Sequence, residues 1–124
     1  MKEEDMNVDG LYNLTGKTGS IRYMAPEMMR RDPYDASIDI YSFGILLWEI
    51  FSHQKAFKGL SMSMLEFVVD QCNRRPEIDT LWPVPVQTII QNCWAQDYRN
   101  RANSDKVYQS LLQFRDGICR PFIK

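Results

Sequence analysis

The order of polar and apolar positions divides the chain into a polar leader and a series of helices. Residues 1–20 are mostly polar, contain Gly10, Gly16 and Gly19, and have neither helical nor strand periodicity. This pattern predicts a long irregular loop. Apolar residues recur with helical spacing through the rest of the chain, so the sequence predicts a mainly α fold behind an irregular N-terminal leader.

The segment 38–51 is apolar at nearly every position. Four residues interrupt the apolar run: Asp39, Ser42, Gly44 and Glu49. Asp35 and Ser37 lie just before it and are residue types that favour a helix start. The run is shorter than the roughly 20 residues that a membrane span needs, and it contains two carboxylates. It therefore predicts a core helix that is buried on nearly every side.

Three more helices follow from the spacing of apolar residues. The segment 61–72 has one apolar side and predicts an amphipathic surface helix that stops before Pro76. The segment 86–94 repeats apolar residues at steps of three and four. A last helix is expected to begin at Ser104, whose hydroxyl would cap it, and to end at Gly117.

Composition narrows the class of protein. The 124 residues carry a formal net charge of -1, which gives no electrostatic reason to expect nucleic acid or a membrane as a partner. The three cysteines, Cys72, Cys93 and Cys119, are far apart, and His53 is the one histidine. This spacing argues against a disulfide framework and against a metal site. The charged start lacks a secretory pattern, so a cytoplasmic location is expected.

Several motifs occur in one order along the chain. The stretch 19–27 reads Gly-Ser-Ile-Arg-Tyr-Met-Ala-Pro-Glu, and the stretch 39–44 reads Asp-Ile-Tyr-Ser-Phe-Gly. Three further matches follow: Arg75-Pro76, Cys93-Trp94 and Arg101. Together they resemble the C-terminal part of the large lobe of eukaryotic-type protein kinases, in which Ala-Pro-Glu closes the activation segment. The likeness covers residues 16–112 and is greatest to the tyrosine-kinase-like group of serine/threonine kinases.

The resemblance implies a division of the chain and one ion pair. Residues 1–27 would be a partial activation segment, residues 28–117 the helical base of the lobe, and residues 118–124 a C-terminal tail. Glu27 and Arg101 match two residues that form a buried ion pair in kinases and tie the activation segment to the helical base. The alternative is that both are solvated surface charges.

The resemblance also assigns roles to four other residues. Asp39 matches an aspartate that holds the backbone of the catalytic loop, although it could simply compensate the helix dipole as a first-turn acid. Ser20 stands where serine/threonine kinases position the acceptor hydroxyl. Thr15 and Thr18 are candidate phosphorylation sites, since a phosphate there could order the loop by pairing with arginine. Each could equally be an ordinary loop threonine.

Phosphoryl transfer by kinases requires a Gly-rich loop, a strand lysine, His-Arg-Asp and Asp-Phe-Gly motifs. None of these occurs in the sequence. ATP and Mg²⁺ are therefore expected to bind to the complete kinase rather than to this chain, which holds no catalytic residue and should be inactive alone. The run Gly16-Lys17-Thr18 resembles the end of a P-loop, but its upstream spacing is one residue too long.

Three functions stay open at this point. The chain could belong to an active serine/threonine kinase, with a protein substrate or regulator and the rest of the kinase domain as its partners. It could instead be a non-catalytic, pseudokinase-like interaction module that uses the methionine-rich helix 61–72 as a docking surface. An unrelated helical domain remains if the motif matches are accidental.

Overall fold

The computed structural model describes residues 21–119, and the prediction of a mainly α fold is confirmed there, with no strand in that range. Thr15, Thr18, Ser20 and the rest of the leader lie outside the described residues. Helical elements follow one another in this order: a 3-10 turn Ile21–Tyr23, α1 Pro26–Met29, α2 Ser37–Ser52, α3 Met62–Leu65, a π-helix Glu66–Gln71, α4 Val84–Cys93, a 3-10 turn Tyr98–Asn100 and α5 Ser104–Cys119.

The core forms where α2 packs against α4. Tyr41 and Ile45 of α2 are completely buried, as is Cys93 of α4. Gly44 allows the two helices to approach closely, because a Cβ atom built on it would lie 2.8 Å from the Cβ atom of Cys93. The absence of a side chain at this one position therefore sets the distance between the two central helices.

One side of α2 is not buried, which corrects the expectation of burial on nearly every side. Asp39 is exposed, Phe43 is half-buried, and Leu46 and Ile50 keep 45% and 55% of their surface exposed. Steps of four, three and four residues place these side chains on one face. We call this set the α2 stripe. The residues that the structure describes leave Leu46 and Ile50 of this stripe largely uncovered.

The segment 61–72 differs from the predicted single α-helix. The side chain of Ser61 accepts the backbone N–H of Met64, which starts α3, but the chain then widens into the π-helix. Leu65 and Val69 are buried, so the predicted apolar side does face the core. Helical structure ends at Gln71, before the proline, and is followed by a residue in left-handed conformation at position 73, with a φ of 51°.

The last helix starts and ends differently from the prediction. The side-chain oxygen of Asn103 accepts the backbone N–H of Lys106 at 2.8 Å, so Asn103 rather than Ser104 caps α5. Gly117 does not end the helix, because its φ is not positive and the helix continues to Cys119. A glycine ends a helix when it takes the left-handed conformation, and this one does not.

Two further expectations concern membranes and thiols. No helix between residues 21 and 119 combines the length and the apolar character that crossing a bilayer requires. Cys72 and Cys93 are free thiols, the first exposed and the second buried. Burial raises the pKa of the Cys93 thiol to about 11.

Candidate functional site

Arg101 and Glu27 meet in the interior of the protein. The Nη1 atom of Arg101 donates to Oε2 of Glu27 at 2.6 Å, and Nη2 donates to Oε1 at 2.8 Å. The side chains are 0% and 4% exposed. Arg101 also donates through Nε to the carbonyl oxygen of Ala95 at 2.9 Å and through Nη1 to that of Ser37 at 3.3 Å. The two-point geometry and the extra acceptors satisfy a charge pair that burial would otherwise make costly.

The local sequence explains how Glu27 reaches this position. Ala25 has extended backbone angles, and Pro26 occupies the first position of α1, where its fixed φ suits a helix start and its missing N–H is not needed. Glu27 then lies in the first helical turn with its side chain turned inward. Arg101 follows the second 3-10 turn in extended conformation. Both residues are thus held by short, well-defined backbone turns.

Tyr41 lies close to two guanidinium groups. The central carbon atoms of Arg75 and Arg101 are each 5.2 Å from the centroid of the Tyr41 ring, within the distance at which a cation is attracted to an aromatic face. Burial raises the pKa of Tyr41 to about 12. Its hydroxyl has no hydrogen-bond partner among the residues that the structure describes. The ring therefore offers both cations an aromatic packing partner.

Arg75 connects three segments of the chain. Its Nε donates to the carbonyl oxygen of Trp94 at 2.8 Å, and its Nη1 donates to those of Val69 and Arg74 at 3.1 and 2.8 Å. Its Nη2 donates to Oε1 of Gln96 at 2.7 Å. Burial lowers the pKa of Arg75. Arg75 thus joins the π-helix, the end of α4 and the loop that leads to Arg101.

A second link holds the turn Ile21–Tyr23 against α2. The Tyr23 hydroxyl donates to Oε1 of Glu49 at 2.5 Å, and Ser42 donates through its hydroxyl to the carbonyl oxygen of Tyr23 at 2.6 Å. The other carboxylate oxygen of Glu49 accepts the backbone N–H of Ala56 at 2.8 Å. The hydrogen bond to Glu49, followed by burial, raises the pKa of Tyr23. The turn that follows the leader is therefore fixed at both its backbone and its side chain.

Asp39 lies apart from these contacts, at the N-terminal end of the α2 stripe. It is exposed, and its carboxylate has no hydrogen-bond or ion-pair partner within residues 21–119. A cavity of about 780 Å³ lies beside it, between the start of α2 and the segment 98–104, with Ile40 and Ala102 in its wall. The carboxylate is thus available to donors from outside the described part of the chain.

The structure brings together some of the predicted site residues and adds others. Glu27 and Arg101 are in contact, Asp39 is separate, and Thr15, Thr18 and Ser20 are not described. The roles of Tyr41, Arg75 and Glu49 were not predicted from the sequence. Tyr41 and Arg75 nevertheless lie in two of the kinase-like motifs. Within residues 21–119, no three His, Cys, Asp or Glu side chains gather as a metal site would require. The observed contacts fix backbone segments relative to one another.

Known proteins match most of the chain. A family model described as protein tyrosine and serine/threonine kinase matches residues 2–111. Serine/threonine/tyrosine-protein kinase HT1 of Arabidopsis thaliana is 31% identical over 103 residues, which cover 83% of this chain and 26% of that protein. Dual specificity protein kinase shkB of Dictyostelium discoideum is 39% identical over 92 residues, or 72% of this chain and 14% of that protein.

A mammalian relative gives the same result. Mitogen-activated protein kinase kinase kinase 7 of Bos taurus is 29% identical over 114 residues, which cover 88% of this chain and 20% of that protein. The chain therefore spans at most about a quarter of the length of these three relatives. The family match includes both Glu27 of the Ala-Pro-Glu motif and Arg101, and the side chains of these two residues meet in the core. The chain belongs to the protein tyrosine and serine/threonine kinase family and corresponds to a C-terminal portion of the kinase domain.

Proposed function

We propose that these 124 residues are the C-terminal part of the large lobe of a protein serine/threonine kinase, which in its complete form transfers the γ-phosphate of ATP to proteins. The observation that carries the proposal is the buried ion pair of Glu27 and Arg101, which fastens the end of the activation segment to the helical base. Rigid placement of this segment matters because kinases catalyse mainly by positioning and electrostatic stabilisation.

The α2 stripe supports the idea that a further part of the lobe covers this chain. Leu46 and Ile50 expose large apolar surfaces on the central helix, and the neighbouring carboxylate of Asp39 lacks a partner within residues 21–119. In the proposed complete kinase, the catalytic-loop segment would cover the stripe, and its backbone N–H groups would donate to Asp39. That part would also hold ATP and Mg²⁺, because the motifs with which kinases bind them do not occur in this sequence.

Serine/threonine specificity and regulation are assigned to the leader. Ser20 would position the acceptor hydroxyl, and the sequence Ile-Arg-Tyr-Met after it resembles serine/threonine kinases. HT1 and shkB are named as kinases of broader specificity, so tyrosine transfer is the outcome against which this assignment is tested. Thr15 and Thr18 would be the regulatory phosphorylation sites. We place the kinase in the cytoplasm.

The test compares the 124-residue chain with the complete kinase. Each is incubated with labelled ATP, Mg²⁺ and a general protein acceptor, and the labelled acceptor is hydrolysed to identify the phosphorylated amino acid. The complete kinase should label serine and threonine, whereas the chain alone should match a heat-killed control. Transfer by the chain alone, or labelling confined to tyrosine, would contradict the proposal. A Ser20→Thr variant should keep activity, and Ser20→Ala should lose most of it.

A second candidate function is a non-catalytic interaction module. The observation that favours it is the exposure of Met64 and Phe67, which keep 51% and 55% of their surface on α3 and the π-helix. Methionine adapts well to varied partners. This candidate predicts that the complete protein transfers no phosphate yet still captures a protein partner, and that Met64→Ser with Phe67→Ser abolishes capture. Phosphate transfer by the complete protein in the assay above would contradict this second candidate function.

A further inference from the structure

A cleft with aromatic walls lies away from the contacts described above, between the end of α2 and the segment 77–82. Its volume is about 440 Å³, which falls within the roughly 300–1,000 Å³ of ligand pockets. Trp48, Phe51 and Trp82 line it. The rings of Phe51 and Trp82 have centroids 5.9 Å apart and are tilted by 50°. Trp48 is fixed because its indole N–H donates to the carbonyl oxygen of Glu77 at 2.7 Å. We call this space between α2 and the segment 77–82 the Trp82 cleft.

The polar part of the Trp82 cleft is negative. Glu77 and Asp79 line it, both are exposed, and neither forms an ion pair within the described part of the chain. Asp79 is held at the rim because its Oδ1 atom accepts the backbone N–H of Leu81 at 2.8 Å. No lysine or arginine lines the cleft. The C-terminal end of α2 at Ser52 adds partial negative charge from its backbone carbonyl groups.

We propose that the Trp82 cleft binds an arginine side chain of a partner protein. A guanidinium group offers a flat face that stacks on aromatic rings and a fork of N–H donors that matches carboxylates, whereas an ammonium group offers only a point charge. Leu81 at the edge of the same segment is 90% exposed, so an apolar residue next to the arginine would find a contact.

The test titrates the isotope-labelled 124-residue chain with a capped Gly-Ser-Arg-Ser-Gly peptide and follows the tryptophan indole N–H signals by NMR. The chain has three tryptophans. Signals of Trp48 and Trp82 should shift and saturate, while that of Trp94, which does not line the cleft, should stay in place. A matched peptide with citrulline, which is neutral but of the same shape, should bind at least about tenfold more weakly. Equal shifts with both peptides would overturn the proposal.

Variants of the cleft rim test the role of its two carboxylates. Asp79→Asn keeps an oxygen that can accept the N–H of Leu81, so the rim should stay folded. Asp79→Asn and Glu77→Gln should each weaken binding of the arginine peptide about threefold to tenfold. Glu66→Gln removes the same charge at an exposed position outside the cleft and should leave the affinity unchanged. Equal weakening by all three variants would mean that net charge alone attracts the peptide. A lysine peptide that binds as tightly as the arginine peptide would also contradict the proposal.

Discussion

The Arg101 guanidinium holds the Glu27 carboxylate across a separation of 74 residues in sequence, through two hydrogen bonds closed to solvent. The pair lies beside the start of α2, because Arg101 also donates to the carbonyl oxygen of Ser37. One side chain thus connects α1, α2 and the loop before α5. Closing such a long loop costs chain entropy, which the buried contacts have to offset.

Removing the carboxylate of Glu27 should strongly destabilise the chain. Glu27→Ala leaves the Arg101 guanidinium buried without its partner, which typically costs about 3–5 kcal/mol. The free energy of unfolding, measured by urea denaturation, should fall by this amount. Asp116→Ala breaks an ion pair with Arg115 in which both side chains are more than half exposed and should change little. Similar effects of the two variants would contradict the structural role of Glu27.

Gly44 should not tolerate a side chain. The Cβ atom of Gly44→Ala would lie 2.8 Å from that of Cys93, so α2 and α4 must move apart, at a cost of about 1–3 kcal/mol. Gly117→Ala is the matched control, since a Cβ atom there would meet nothing within 4 Å and the residue is helical. This variant should raise stability by up to about 1 kcal/mol. Thermal unfolding of both variants measures the contrast.

Arg75 should be irreplaceable by lysine. Arg75→Ala removes donors from three backbone carbonyl groups and from Gln96, and we expect a loss of about 2–4 kcal/mol. Arg75→Lys should recover little, because an ammonium group cannot reach acceptors on several sides as the guanidinium fork does. The neighbouring Arg74 is exposed, so Arg74→Ala should be nearly neutral in urea denaturation. Full recovery by lysine would show that charge alone matters.

Stability should fall at alkaline pH. The pKa of the Cys93 thiol is raised by burial from 9 to about 11, so the folded state resists ionisation that the unfolded state permits. The contribution is fully present below about pH 9 and is lost as pH rises towards 11. Cys93→Ala should flatten this part of the pH profile, because it removes the buried thiol. An unchanged slope in Cys93→Ala would contradict the assignment.

A second alkaline step should follow from Tyr41. Burial raises its pKa from 10 to about 12, so its contribution is complete below about pH 10 and declines towards 12. Tyr41→Phe keeps the ring next to Arg75 and Arg101 and removes the hydroxyl, which has no hydrogen-bond partner within residues 21–119. The unfolding free energy of this variant should therefore depend less steeply on pH between pH 10 and 12, because Cys93 and Tyr23 still contribute there and Tyr41 no longer does. A slope in this range equal to that of the unchanged chain would show that Tyr41 does not contribute the step.

The sequence was a good guide wherever one periodic pattern decided the outcome. Apolar spacing predicted α2, α4 and α5, and motif order led to the contact of Glu27 with Arg101. Prediction from the sequence failed where either of two neighbouring residues could cap the same helix. Asn103 and Ser104 both carry an oxygen, but the Asn103 amide is the one that reaches the N–H of Lys106.

Other features depend on packing partners that sequence spacing does not show. The run 38–51 has no polar face, yet Leu46 and Ile50 remain exposed because nothing within residues 21–119 covers them. The switch from α3 to the π-helix requires one extra residue per turn, which no local signal in the segment announces. The aromatic walls of the Trp82 cleft come from segments some thirty residues apart, so only the fold brings them together.

We propose that the rest of a kinase lobe covers the α2 stripe, and thiol labelling tests this coverage most directly. Leu46→Cys is introduced into the 124-residue chain and into the complete kinase, and the alkylation rate at position 46 is compared with that of the exposed Cys72 in the same sample. In the isolated chain the two rates should be similar. In the complete kinase, labelling at position 46 should slow by at least about tenfold relative to Cys72. An unchanged ratio would mean that the stripe stays open, which would contradict the proposed lobe.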